Sequence, residues 1–248
     1  YRSVAVVQTI LTAALFLSLP LWKRRRLEGA EGESAAKALS LPRAVKIKGV
    51  PFVLIMFFGY CALEQAGGLW ASSYLVQFRG VDTDTAAWSA SLFYLGIAAW
   101  RFLCGFVAER LGDRRLIRIG ILTMIGGVLL IALPVPYDAF TLAGLLIVGL
   151  GCAPVYPSVI HSTPANFGKE NSQAIIGIQM ASAYVGTTFM PPLFGLIAAH
   201  IHIGLYPAFL LALAVLMLCM SEKLNRTVAK RQEGEARKET AEQEAENA

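Results

Sequence analysis

Charge is scarce in this sequence. Only 16% of the residues are Asp, Glu, Lys or Arg, while 56% are hydrophobic; soluble domains carry charge on about 25% of their residues. That deficit excludes an ordinary soluble domain, whose helices need a polar face toward water. Cysteine is sparse too. Cys61, Cys104, Cys152 and Cys219 stand singly, with no CxxC or paired spacing. This excludes a disulfide framework and a thiolate metal site and leaves four small core residues. His161, His200 and His202 lie near the ends of apolar runs; the spacing of the last two is a weak metal pattern and reads as interfacial. There is no phosphate-binding glycine loop, nucleophile motif or metal cluster, so no enzyme activity, cofactor or metal is expected. An initiator Met and a signal-peptide pattern are missing as well. The chain passes from Tyr1 almost directly into an apolar run, which reads as a fragment lacking its N-terminal part.

What is present is apolar sequence in long runs. One lies between Arg2 and Lys23 without a charge inside it, and others cover about 50–78, 85–108, 116–137, 139–160, 174–199 and 203–221. Each is near the ~20 residues that a helix needs to cross ~30 Å of hydrocarbon. The fold class is therefore all-α, a polytopic membrane protein with about seven spans. Positive charge sorts by loop. Of the 22 lysines and arginines, all but Arg2, Arg79 and Arg101 fall in alternate polar segments: 23–48, 110–118, around Lys169, and the tail. The positive-inside rule puts those segments in the cytoplasm. The net charge of +5 thus reflects orientation in the bilayer, and no nucleic-acid partner is expected. The organisation that follows is a helix at 1–22, a basic cytoplasmic linker at 23–48, six spans over 49–221, and a cytoplasmic tail at 222–248. The tail alternates Glu with Lys and Arg and is expected to be solvated, either partly helical or disordered.

Polar residues inside the runs form stripes. At ~100° per residue, Tyr60, Cys61, Glu64, Gln65, Gly68, Ala71 and Ser72 share an arc of roughly 140°. A carboxylate facing lipid is costly, so this arc should face the bundle or a wet cavity. Around Arg101 a second stripe carries Ala87, Ala90, Ser91, Tyr94, Ala98 and Gly105. A third has Ser172, Gln179, Ser182, Ala183, Gly186 and Thr187. Glu64, Gln65, Tyr94, Arg101, Gln179 and Thr187 are the candidate substrate or proton pathway. Counted from the cytoplasmic helix ends, Glu64 lies ~21 Å deep and Arg101 ~9 Å. The gap of ~12 Å predicts no direct bond between them, and snorkelling of Arg101 to the inner surface is the alternative. Pro154 and Pro157 fall in the cytoplasmic third of one run and Pro191 and Pro192 in the extracellular third of the next. Bends at opposite depths suit alternating access.

The stretch GFVAERLGDRRLIR, Gly105 to Arg118, resembles the signature loop of the major facilitator superfamily. Gly105, Ala108, Glu109, Arg110, Gly112, Arg114 and Arg115 match; Glu109 stands where Asp is usual, and Asp113 interrupts the basic cluster. The resemblance implies a conformational latch at Gly105, Glu109, Arg110, Gly112, Arg114 and Arg115. It implies a twelve-helix fold of which this chain holds the C-terminal six helices and one helix of a missing N-terminal half. The function implied is secondary active transport in the plasma (inner) membrane. GCAPVYPSVIHSTPANFGKENS, Gly151 to Ser172, with Gly177, Gly186 and Pro191-Pro192, is similar to the fucose/hexose–proton symporter branch. That likeness implies a sugar-like solute and protons as partners, beside lipid. The alternatives are an exporter of amphipathic drugs and a non-transporting membrane receptor or scaffold.

Overall fold

A computed structural model describes the backbone of residues 2–30, 41–135 and 138–246 and the side chains of 3–19, 43–103, 111–135 and 139–234. The described residues hold no strand. The chain divides into two compact units, 1–38 and 39–248. The first contains α1 (Arg2–Ala30), apolar over Ser3–Leu19. The second contains the short α2 (Leu41–Lys46) and then α3 (Val50–Arg79), α4 (Thr83–Leu111), α5 (Asp113–Ala132), α6 (Asp138–Phe167), α7 (Lys169–Ile197) and α8 (Tyr206–Glu246). Val50–Arg79, Asp113–Ala132, Ala139–Phe167 and the stretch Lys169–Gly234 are long and apolar enough to cross a bilayer. Residues 31–40 of the expected linker and the side chain of Cys104 lie outside the described residues.

The helices outrun the apolar runs, and the turns between them shrink accordingly. The polar loop expected around Lys169 is a single residue, Gly168, and α4 and α5 are likewise separated by Gly112 alone. Gly112 (φ 73°, ψ 153°) and Gly168 (φ 87°, ψ 147°) occupy backbone conformations open essentially to glycine only. Such turns reverse the chain in one step. At the far end of α7 a wide π turn, Ala198–His202, and a tight turn, Ile203–Leu205, lead into α8. That last helix continues through the charged tail to Glu246.

Packing in lipid has no hydrophobic drive between helices and relies on close approach of small residues. α5 and α6 show this best. Gly120 lies against Gly151 and Gly127 against Gly144: a methyl group on Gly151 would meet the Gly120 carbonyl at 2.6 Å, and one on Gly127 the Gly144 carbonyl at 2.8 Å. Gly186 of α7 approaches α3 in the same way: a methyl group there would meet the Phe58 carbonyl at 2.7 Å. Hydroxyls and one indole then tie helices together through backbone carbonyls. Tyr206 donates to Gly67 at 2.6 Å, Ser182 to Leu54 at 2.9 Å, Ser72 to Ala86 at 3.0 Å, and Trp70 to Pro191 at 3.0 Å. Polar groups so placed lose little on leaving water, because each keeps a partner.

The two ends of the bundle are closed differently. At the basic end Asp113 meets His161 at 2.7 Å, Arg118 donates to Glu222 at 2.7 Å, and Arg231 donates to the Asn166 carbonyl. These contacts join α5, α6 and α8. At the other end Arg79 donates to the carbonyls of Leu133 and Val135, at 3.2 and 2.7 Å. It thereby satisfies groups left open by the end of α5, where a cation also suits the helix dipole. There too Asp82 caps α4, accepting from the Thr85 backbone at 3.0 Å. The bonds from Thr85 hold the Asp82 carboxyl below its usual range.

Candidate functional site

α3 is apolar or small for almost all of its length, and its one acid is Glu64. Tyr60, Cys61, Gly68 and Ala71, on the same arc, are buried against neighbouring helices, whereas Gln65 is exposed. Glu64 sits at the border between the two, with its side chain 27% exposed. Its Oε1 lies 3.8 Å from Nη2 of Arg101 on α4, whose side chain is 47% exposed. The pair is a loose ion pair, at the outer limit for such contacts.

This contact corrects the expectation that Glu64 and Arg101 are too far apart. The depth count stopped the helix of Arg101 with its apolar run, but α4 runs on to Leu111. Arg101 is then about 15 Å from that end, and the offset from Glu64 falls to about 6 Å. Two long side chains cover that distance.

Tyrosines from three helices lie around the pair, and a fourth helix adds one beside Tyr156. Tyr60 of α3 is fully buried, and its ring packs on Phe57 (centroids 6.2 Å) and Tyr156 of α6 (6.1 Å). The Tyr60 hydroxyl has no partner at full hydrogen-bonding geometry. Tyr94 of α4 is half exposed, and its hydroxyl lies over Gly68, where a methyl group would collide with it. Gly68 thus makes the space that Tyr94 occupies, one turn beyond Glu64. The Tyr156 hydroxyl donates to the Met180 sulfur at 3.4 Å. Tyr184 of α7, largely exposed, lies near Tyr156. Such a site offers a carboxylate that can accept hydrogen bonds or a proton, a guanidinium with five donors, and phenols with both polar tips and apolar faces.

The remaining candidates are not gathered there. Gln179 is fully buried between α7 and α6, exchanging hydrogen bonds with Thr163 (3.1 and 3.3 Å). Ser182, three residues later, bonds Leu54, so Gln179 sits near the start of α3 and well short of Glu64. The Thr187 hydroxyl donates to the backbone carbonyl of Tyr184 on its own helix at 3.1 Å. In the signature loop, Gly112 forms the turn and Arg114 and Arg115 are exposed. The side chains of Glu109 and Arg110 and the surroundings of Gly105 lie outside the described residues. Tyr156 and Tyr184 were missed from sequence. The one signal for Tyr156 was its place between Pro154 and Pro157; Tyr184 carried none.

Residues 52–246 match a family model described as Major Facilitator Superfamily. Over 158 residues the chain is 29% identical to the membrane protein MosC of Rhizobium meliloti. That match covers 63% of this chain but 38% of the length of MosC.

Proposed function

The chain belongs to the major facilitator superfamily, and on that premise we propose that it serves secondary active transport of a small polar solute, sugar-like and coupled to protons. The observation that carries this reading is the Glu64–Arg101 pair. Ionisable residues inside membrane spans mark ion and solute pathways, since a charge there is otherwise costly. Glu64 takes up and releases the coupled proton, hydrogen-bonds the solute, or does both. Arg101 holds the carboxylate in the absence of that proton. Gln65, Tyr94 and Thr187 supply further hydrogen-bonding groups along the pathway, and Gln179 holds α7 to α6 beside it. The latch loop of Gly105, Glu109, Arg110, Gly112, Arg114 and Arg115 biases which side is open.

The basic ends face the cytoplasm of a plasma (inner) membrane, as do the linker and the tail. The pathway is completed by an N-terminal helical bundle; the match to 38% of MosC leaves room for one in a protein of that length. The sugar class rests on the likeness of Gly151 to Ser172 to the fucose/hexose–proton symporters. A second reading, export of amphipathic compounds, is favoured by the tyrosines around the pair, which offer apolar ring faces. Uptake of a labelled panel into proteoliposomes, with and without a pH gradient, separates the readings. A sugar or related polyol driven by the gradient supports the first. Outward movement of apolar cations or dyes supports the second, and flux of no compound speaks for a receptor or scaffold.

A further inference from the structure

Tyr60 presents an unresolved account. Its hydroxyl is fully buried and has no partner at full hydrogen-bonding geometry, although the Glu64 carboxylate lies beside it. A buried hydroxyl without a partner costs roughly 1–3 kcal/mol. Its ring cannot swing to find one, because Phe57 and Tyr156 pack against it. The partner must therefore come to Tyr60.

Glu64 is the group able to do so. It lies four residues later on the same helix, where side chains of successive turns meet. It is only partly covered, and its contact with Arg101 is long at 3.8 Å. The other groups in range are committed or unsuited. The Tyr156 hydroxyl bonds Met180, the Cys152 thiol points to the Met124 sulfur at 3.4 Å, and the Tyr94 hydroxyl lies over Gly68. Cys61 on the same helix is a buried thiol, and Arg101 offers donors only, whereas the Tyr60 O–H needs an acceptor.

We propose that Tyr60 is a positioning residue for Glu64, which exchanges between two partners: the Arg101 guanidinium when ionised and the Tyr60 hydroxyl when protonated. The geometry gives each state one good partner. When a proton from the pathway neutralises the carboxyl, its attraction to Arg101 falls. The side chain then closes on the hydroxyl beside it and accepts the Tyr60 O–H at its carbonyl oxygen. Arg101 is freed toward the exposed side, where a solute can take its donors. Loss of the proton reverses the exchange. Tyr60 thus makes the neutral state a defined one, and couples protonation of Glu64 to release of Arg101.

The inference rests on Glu64 being the proton-bearing group, and the test separates the two. Infrared difference spectra of the full-length gene product in lipid bilayers, recorded across a pH titration, report the carboxyl C=O stretch. A band absent in Glu64→Gln belongs to Glu64. In Tyr60→Phe the expected result is that this band remains and moves to higher wavenumber, as a carboxyl does on losing a hydrogen bond. Tyr156→Phe should leave it in place. Thermal melting of Tyr60→Phe, at a pH where Glu64 is ionised, should be no lower than that of the parent, since that state loses no bond and sheds a poorly partnered buried hydroxyl. If no pH-dependent band disappears in Glu64→Gln, both the proton-carrier reading and this inference fall. If the band exists but Tyr60→Phe does not move it, the proton reading stands and the role of Tyr60 is overturned.

Discussion

A single carboxyl and a single guanidinium dominate the residue scale. Glu64 was legible in the sequence because an acid inside a 30-residue apolar helix has few structural reasons to be there. Its pairing with Arg101 was not, because the pairing depends on where α4 ends, and helix ends outlast the apolar residues that reveal them. Gln179 shows the complementary limit. Its stripe on the helix was readable, but a stripe says nothing about what covers it, and Thr163 does so here. The pair makes its own prediction. Removing either charge leaves the other alone in the span, whereas removing both leaves none. Glu64→Gln and Arg101→Gln should therefore each cost more stability than the double variant. The coupling expected in a double-mutant cycle of thermal melts is about 0.5–3 kcal/mol. Additive effects would show that the two side chains do not meet.

At the scale of elements, the helices were evident from apolar runs, and their contacts were not. Nothing in local sequence distinguishes a glycine that meets another helix from one that faces lipid. Gly126 and Gly127 are adjacent, yet a methyl group on Gly127 would strike the α6 backbone, while one on Gly126 meets nothing within 4 Å. Only the rotation of α5 against α6 decides between them. Gly151→Ala drives a carbon into the Gly120 carbonyl and is expected to lower stability by about 1–3 kcal/mol. Gly126→Ala should be neutral or stabilising, by up to about 1 kcal/mol, from helix propensity alone. Melting of the two variants in detergent checks the pair. Equal losses would mean that α5 and α6 do not approach through these glycines.

The whole molecule joins a Gly-zipped bundle to a partly open polar site and a basic end tied across α5, α6 and α8. The signature loop, found by its residue pattern, lies at that end, where Asp113, just after its Gly112 turn, meets His161. If the loop biases which side of the pathway is open, Glu109→Ala should change the labelling rate of a cysteine introduced near the pathway and lower flux. Its melting temperature should stay close to that of the parent. Unchanged labelling and flux would reduce the loop to a short basic turn. The central claim, however, is that Glu64 carries the coupled proton. Glu64→Gln keeps the shape and the hydrogen bonding of the side chain but not its titration. The most direct measurement compares, in proteoliposomes containing the full-length gene product, pH-driven accumulation of the transported solute with solute exchange at equal pH. The account expects Glu64→Gln to abolish accumulation against a gradient while exchange continues; continued uphill accumulation in that variant would contradict it.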